Sequence, residues 1–134
     1  MENKKNNSTE KGRSYEKCVR AYCRRKKLTI LKQNLRVKRT EIDCLAWDSN
    51  LNQYVIIEVR GRSNSKFPPS KFISPQKLKR LKDFAMSLVF REKKSVRLYL
   101  LEVIGVLPKA HLNWGLEIFP EKLGLQMQDY QIDL

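Results

Sequence analysis

The sequence is poor in histidine and cysteine, the side chains on which most zinc sites and many nucleophilic dyads depend. Its 134 residues contain one histidine, His111, and three cysteines, Cys18, Cys23 and Cys44. An odd number of cysteines without C-x-x-C spacing argues against a disulfide framework and against a zinc site. A single histidine in an apparent loop offers no histidine–cysteine or serine–histidine dyad. We therefore interpret the three cysteines as small buried hydrophobic residues.

Long apolar runs are also missing from the chain. No segment approaches the roughly 18 consecutive apolar residues that a membrane-spanning helix needs. Residues 1–8 are polar and charged, without the apolar core of a signal peptide. We therefore expect a cytoplasmic protein with no membrane partner. The length predicts one domain, with residues 1–10 as a disordered polar tail, 11–119 as the folded domain and 120–134 as a C-terminal tail.

Acidic residues are half as numerous as basic ones: 14 Asp and Glu against 28 Lys and Arg give a formal net charge of +14. The excess is concentrated in residues 1–40, which hold fourteen basic residues, and in residues 61–94, which hold ten. Such an excess favours a polyanionic partner, with DNA before RNA. An anionic membrane surface is the competing partner, but it requires an exposed apolar helix face. A basic surface that serves only solubility is the third alternative.

Apolar periodicity and turn residues predict the secondary structure. Helical spacing predicts helices over 12–27 and 75–90, the second capped by Ser74 with Pro75 in its first position. Strands are predicted over 28–35, 41–47, 53–60, 96–107 and 116–119. Residues 61–73 form a long basic loop, and loops of that length are often functional. This order predicts an α/β fold with a mixed sheet of about five strands flanked by helices.

The second and third strands form a hairpin whose register matters for function. Residues 48–52 read Asp-Ser-Asn-Leu-Asn, a run rich in turn formers between the two strands. A hairpin symmetric about Asn50 and Leu51 brings paired residues to Cβ separations of roughly 5 Å. The pairs that this register predicts are Leu45 with Ile56, Trp47 with Tyr54, and Asp43 with Glu58.

Carboxylates cluster in this hairpin. Glu41 and Asp43 share one face of their strand, and Glu58 and Arg60 share one face of theirs, because residues two apart point the same way. Two carboxylates at that separation repel each other unless a cation or a proton lies between them. Mg²⁺ and Mn²⁺ are the usual cations at oxygen-lined sites. Alternatively, these are solvent-facing strand charges, with Glu41 and Arg60 as a cross-strand ion pair.

An acidic residue on the first helix completes the pattern, because Glu16 lies at the margin of that helix's apolar stripe. The motifs in chain order are Tyr15-Glu16, Asn34-Leu35-Arg36, Thr40-Glu41-Ile42-Asp43 with Asp48, Ile57-Glu58-Val59-Arg60-Gly61-Arg62, and Lys77 with Arg80-Leu81. This set resembles the PD-(D/E)xK nuclease superfamily. More closely, it resembles the YraN family of small bacterial proteins, which are similar to archaeal Holliday junction resolvases. That family has Gly-Glu, Asn-x-Arg, Gly-Glu-Ile-Asp, Val-Glu-Val-Lys-x-Arg and Lys-x-x-Arg-Leu at the corresponding places.

The resemblance implies a restriction-endonuclease-like core that hydrolyses phosphodiesters with Mg²⁺ or Mn²⁺. The implied metal ligands are Asp43, Glu58 and the backbone carbonyl of Val59, and Glu16 would ligate through a water or orient one. Arg60 stands where the family has a lysine that helps to position the attacking water. The implied catalytic set is therefore Glu16, Asp43, Glu58 and Arg60.

Arg60 is the main departure from the family pattern, and it leaves two functions open. Its guanidinium can stabilise a phosphorane-like charge through two hydrogen bonds, but it is broader than an ammonium and effectively never deprotonates. It can equally pair with Glu58 and displace the metal. The chain is then either a weak nuclease acting on branched or structured DNA, or a nucleic-acid-binding module on a nuclease scaffold. A structural adaptor that binds another protein through the acidic C-terminal residues is a third class.

Basic residues near the site supply the candidate contacts to nucleic acid. They are Arg36, Lys38 and Arg39 before the second strand, Arg62 and Lys66 in the loop, and Gln76, Lys77, Arg80 and Lys82 on the second helix. Resolvase-like proteins often act as dimers, which leaves a homodimer open. Phe67, Phe72 and Trp114 are the candidate contact residues of such a dimer.

Overall fold

The structure is a computed structural model that describes residues 2–62, 73–106 and 120–134, with side chains described from Arg13 onwards. In chain order the elements are α1 (Glu2–Lys26), β1 (Thr29–Val37), β2 (Thr40–Asp48), β3 (Gln53–Arg62), α2 (Pro75–Glu92), β4 (Ser95–Ile104), a short 3₁₀ helix (Pro120–Leu123) and β5 (Gln126–Ile132). The predicted strand over 116–119 lies outside the described residues.

The five described strands form one mixed sheet in the order β1-β2-β3-β4-β5. Neighbouring strands are antiparallel except β3 and β4, which are parallel and are joined by a connection that contains α2. A parallel pair needs such a crossover, because the chain must return to the end of the sheet from which the first strand started. The predicted class is thus confirmed: α/β, with a mixed five-stranded sheet flanked by two helices, consistent with a restriction-endonuclease-like core.

Each face of the sheet has its own hydrophobic core. On one face, α1 packs Val19 and Tyr22 against Ile57 and other strand residues. On the other face, α2 packs Leu81 and its neighbours against Ile56 and further strand residues. The three cysteines are free and buried in the α1 core, as predicted. Burial raises the pKa of the Cys18 thiol to about 12, so this thiol behaves as a small apolar group.

Both ends of the chain differ from the predicted tails. The first helix begins at Glu2 rather than near Gly12, because residues 2–11 contain no proline or glycine to stop it. Residues 126–132 form β5 within the range predicted as a C-terminal tail. Few apolar residues mark the two faces of this strand. Met127 packs on the α1 core, while Tyr130 and Ile132 pack on the α2 core.

The second helix begins as its sequence predicts. The Ser74 side chain accepts a hydrogen bond from the backbone N–H of Lys77 at 3.2 Å, and Pro75 occupies the first helical position. The helix ends at Glu92 and is capped by Lys93, whose left-handed conformation lets its N–H donate to the carbonyl of Val89. The cap at Ser74 places Lys77 in the first turn of α2.

Candidate active site

The predicted hairpin register is confirmed where pairing is regular. Leu45 pairs with Ile56 and Trp47 with Tyr54, and the two aromatic rings meet edge to face at 4.9 Å. Regular pairing of β2 with β3 stops at Cys44 and Ile57. The carboxylate pair of the prediction lies directly beyond that point.

β2 changes face at Asp43. Ile42 packs in the α2 core and Cys44 in the α1 core, although residues two apart in a regular strand share a face. In β1, Asn34 has a left-handed φ of 52°, a conformation that asparagine tolerates better than most residues. This irregularity leaves the backbone N–H groups of Asp43 and Val59 to be satisfied by side chains.

Asp43 and Glu58 satisfy those groups reciprocally. The N–H of Asp43 donates to Glu58 Oε1 at 3.1 Å, and the N–H of Val59 donates to Asp43 Oδ2 at 2.9 Å. The structure therefore brings the two predicted carboxylates together, but through side chain–backbone bonds rather than a regular cross-strand pair.

The pKa values of both carboxyl groups are raised. Burial is the largest cause for Glu58, which is only 4% exposed, and the nearby Asp43 adds to it, so that the pKa of Glu58 is about 7. Burial also raises the pKa of Asp43, while the hydrogen bond from the Val59 N–H and the charge of Lys77 oppose the rise. A cation beside the two carboxyl groups would relieve the repulsion between them.

Lys77 supplies a positive charge to this pair of carboxylates. Its Nζ lies 2.9 Å from Glu58 Oε2, and this ion pair lowers the pKa of Glu58 against the larger effect of burial. Lys77 is one of the predicted nucleic-acid contacts, and this pairing with Glu58 was not predicted. Its position three residues after the helix cap is the only local signal that it lies in an ordered first turn.

Arg60 is not the ion-pair partner of Glu58, since Glu58 pairs with Lys77. Its side chain is half-buried, and neither it nor Glu41 forms an ion pair with any other described residue. The cross-strand pair between Glu41 and Arg60 is therefore not observed in the described part of the chain. Within the described ranges, the guanidinium of Arg60 thus lies two residues along β3 from Glu58 without an ion-pair partner.

Glu16 reaches the same region from α1. The amide of Asn34 donates a hydrogen bond to Glu16 Oε1, and Arg20 lies 4.0 Å from Glu16 Oε2. A cleft of about 220 Å³ brings Glu16 together with Asp43 and is lined further by Tyr15, Val19, Gln33, Asn34, Glu41 and Val59. Three of the four predicted catalytic residues are thus connected: Glu16 faces Asp43 across the cleft, and Asp43 is bonded to Glu58.

The donor set can be compared with what a metal ion needs. In the described ranges, no group of three or more His, Cys, Asp or Glu side chains is placed to hold a metal. The available donors are the two carboxylates and the backbone carbonyl of Val59, all hard oxygen ligands of the kind that Mg²⁺ and Mn²⁺ prefer. A divalent ion at these carboxylates would offset the burial and the neighbouring negative charge that raise the pKa of Glu58. The chemistry and charge of the set therefore fit such an ion.

The predicted nucleic-acid contacts fall into three groups. Arg36, Lys38, Arg39 and Gln76 are exposed, and Arg80 and Lys82 are half-buried on α2. Arg62 is in a buried ion pair, with its Nε 3.0 Å from the carboxylate of Glu102 and its side chain 17% exposed. Lys66 lies outside the described residues, as do His111 and the predicted dimer contacts Phe67, Phe72 and Trp114.

A close contact that the sequence analysis missed supports the α1 side of the site. Gly61 lies against the ring of Tyr15, so that a Cβ at residue 61 would be 2.5 Å from Tyr15 Cζ. Only glycine leaves this space. Because Tyr15 immediately precedes Glu16, the packing of its ring on β3 helps to determine where the Glu16 carboxylate lies.

Comparison with known proteins agrees with the motifs. The model of the uncharacterised protein family UPF0102 matches residues 15–106. A UPF0102 protein of Caldicellulosiruptor saccharolyticus is 33% identical over 101 residues, which cover 75% of this chain and 84% of that protein. One from Aliivibrio fischeri is 27% identical over 115 residues, covering 83% of this chain and 92% of the relative. No described helix is long and apolar enough to cross a membrane. The chain belongs to the UPF0102 family, the YraN family that its motifs indicate.

Proposed function

We propose that this protein is a metal-dependent nuclease that cleaves branched or structured DNA at the Asp43–Glu58 site. The observation that carries the proposal is the placement of two carboxylates, the half-buried Asp43 and the buried Glu58, on backbone N–H groups of each other's strand beside Lys77. Placing two acids close together away from solvent is costly. A fold that needed only to satisfy two backbone N–H groups could do so with neutral side chains.

Each residue of the site has a role in this proposal. Asp43, Glu58 and the Val59 carbonyl would hold Mg²⁺ or Mn²⁺, which supplies a Lewis acid and lowers the pKa of a bound water when present. Glu16, held by Asn34, is placed to orient a water in the cleft. Arg60, which has no ion pair among the described residues, can donate two hydrogen bonds to phosphate oxygens.

Lys77 supports the same chemistry from α2. Its ammonium lies at Glu58, so a positive charge stands beside the carboxylates although the motif lysine is replaced by Arg60. An ammonium is compact and can approach both a water and a phosphate oxygen. We therefore assign Lys77 to the site as well as to the surface that binds nucleic acid.

A nucleic-acid-binding module without catalysis is the second candidate. It is favoured by the use of three carboxylate oxygens on the protein itself: two accept backbone N–H groups and one accepts Lys77. The adaptor class gains less support. Glu121 and Asp129 of the acidic C-terminal residues bind Arg25 and Lys26 of α1 within the same chain.

Thermal unfolding with Mn²⁺ tests the proposal, with cleavage measured on the same samples. Asp43→Asn keeps an oxygen acceptor for the Val59 N–H but removes the charge. Glu92→Gln, an exposed acid at the end of α2, is the matched control. We expect millimolar Mn²⁺ to raise the melting temperature of the wild type and of Glu92→Gln, but not of Asp43→Asn. Cleavage of junction or single-stranded DNA should follow the same order. If Mn²⁺ raises the melting temperature of none of the three proteins, and all three show the same background cleavage, the protein is a nucleic-acid-binding module without catalysis.

A further inference from the structure

A second cleft lies between the β1–β2 turn and α2. Its volume is about 360 Å³, within the range of roughly 300–1,000 Å³ that is usual for small-molecule sites. Its lining residues are Val37, Lys38, Arg39, Thr40, Arg80, Asp83, Phe84 and Ser87. The predicted contacts Lys38, Arg39 and Arg80 therefore meet around one cavity rather than being scattered over a surface.

The basic side chains of this cleft form no ion pairs within the described part of the chain. Neither the exposed Lys38 and Arg39 nor the half-buried Arg80 forms an ion pair with another described residue, although Asp83 is three residues after Arg80 on the same helix. Three cations around one cavity favour an anionic ligand. The apolar side chains of Val37 and Phe84 favour a ligand that also has an apolar face.

The turn that carries two of these cations is conformationally restricted. Val37 pairs with Thr40, so Lys38 and Arg39 alone connect β1 to β2. Lys38 has a left-handed φ of 55°, which glycine or asparagine would adopt at lower cost. A lysine held in this conformation at the mouth of a cavity is consistent with a binding role.

We propose that this cleft binds an unpaired nucleotide of a DNA strand. The base would contact Val37 and Phe84, and Lys38, Arg39 and Arg80 would bind its flanking phosphates. The Asp83 carboxylate can accept a hydrogen bond from an exocyclic amino group, which adenine, cytosine and guanine have and thymine lacks. The choice of DNA rests on the proposed function, whereas the chemistry of an anion with a flat apolar face comes from the cleft itself.

The position of the cleft relative to Asp43 makes the proposal more specific. Thr40 lines the cleft and Asp43 lies three residues further along β2, about 10 Å away at the usual rise per strand residue. This cleft is lined by α2 residues, whereas the cleft that contains Glu16 and Asp43 is lined by α1 residues. The unpaired base would therefore lie close to Asp43 along β2 but on the other side of the sheet.

Binding in EDTA tests the cleft without any dependence on metal or cleavage. The probes are a duplex with one unpaired 2-aminopurine, which carries an exocyclic amino group, and the same duplex fully paired. We expect the wild type to bind the unpaired probe at least tenfold more tightly and to change its fluorescence. Ser87→Trp should fill the cleft from an exposed helix position, abolish the preference and leave binding of the paired duplex unchanged.

Arg80→Ala is the second variant, with Lys79→Ala as its matched control. Both remove one positive charge from neighbouring positions of α2, but only Arg80 lines the cleft. Arg80→Ala should weaken binding of the unpaired probe more than tenfold, and Lys79→Ala by less than threefold. Equal losses in these two variants, a wild type without preference, or a folded Ser87→Trp that keeps the preference would each overturn the proposal.

Failure of the cleft and failure of the nuclease are separable. The preference for the unpaired probe is measured on the wild type in EDTA, where neither metal nor cleavage contributes. If the wild type shows this preference while Mn²⁺ and cleavage responses are absent in every protein, the cleft stands and the nuclease falls. If the preference is absent while the Mn²⁺ response depends on Asp43, the nuclease stands and the cleft falls.

Discussion

The carboxylates of Asp43 and Glu58 each accept a hydrogen bond from a backbone N–H of the other's strand, at 2.9 and 3.1 Å respectively. These bonds replace the regular ladder where β2 and β3 stop pairing. The same two acids therefore hold the strands together and form the candidate chemical centre. Substitutions that keep an acceptor oxygen can separate the two roles, whereas truncation to alanine removes both.

Removing the Lys77 ammonium should destabilise the folded protein, because the two carboxylates then lack its positive charge. Lys77→Met leaves Glu58 buried beside Asp43 without a cation, and we expect a loss on the order of 2 kcal/mol in the free energy of unfolding at pH 8. Because Glu58 can take up a proton, the loss should be smaller at pH 6. Urea unfolding at both pH values measures it, with the exposed Lys79→Met as control. A loss that is equal at the two pH values would contradict the ion pair as its cause.

The raised pKa of Glu58 predicts how stability changes with pH. The folded protein, with a pKa of about 7 against an ordinary value of 4.5, binds more protons than the unfolded chain between these pH values. Stability should therefore fall as the pH rises through this window, by on the order of 3 kcal/mol, and level off above it. Chemical unfolding in metal-free buffer between pH 4.5 and 8 measures the slope. Glu58→Gln should flatten the curve, and an unchanged curve would mean that Glu58 titrates normally.

The sequence carried enough information for the hairpin but not for the bend within it. The turn residues between Trp47 and Tyr54 fix the pairing of that half of the hairpin, so the register follows from local chemistry. The change of face at Asp43 is accompanied by the left-handed Asn34 and by bonds between residues fifteen or more positions apart. No local pattern predicts such bonds.

The pairing of Lys77 with Glu58 could not be predicted for a related reason. Ser74 and Pro75 predict only that Lys77 lies in the first turn of α2. The rotation of that turn relative to β3 depends on how Leu81 and Phe84 pack on the sheet. Only this tertiary packing directs the ammonium to Glu58, and the same packing forms the second cleft beside Arg80.

Substitution of Gly61 should disturb the α1 side of the site. An alanine Cβ there would lie 2.5 to 2.7 Å from the Tyr15 ring, which must then move. We expect Gly61→Ala to cost on the order of 1–3 kcal/mol in the free energy of unfolding. Tyr15→Ala should make the second substitution nearly neutral, because the clash is gone. A double-mutant cycle by urea unfolding tests this, and additive losses would show that the contact has no energetic weight.

Binding to nucleic acid should depend steeply on salt. If about five of the predicted cations contact phosphates, the log–log slope of affinity against salt should be roughly −4 to −5. Arg39→Ala should reduce the slope by about one unit, because Arg39 is exposed. Arg62→Ala should instead lower stability and leave the slope nearly unchanged, since Arg62 is paired with Glu102. Fluorescence anisotropy over a salt series measures the slopes, and a flat series would exclude an electrostatic interface.

Substitution of Arg60 decides between the two proposed functions. Among the described residues Glu58 pairs with Lys77 and Arg60 has no ion pair, so Arg60→Ala should change the free energy of unfolding by less than about 1 kcal/mol. Arg60→Lys should raise metal-dependent cleavage, because a compact ammonium can approach both the attacking water and the phosphate. Single-turnover cleavage of a four-way junction in Mn²⁺ measures the gain, with Asp43→Asn as the background. A destabilised Arg60→Ala together with an Arg60→Lys that gains no activity would mean that the arginine is structural. The protein would then use this scaffold only to bind nucleic acid.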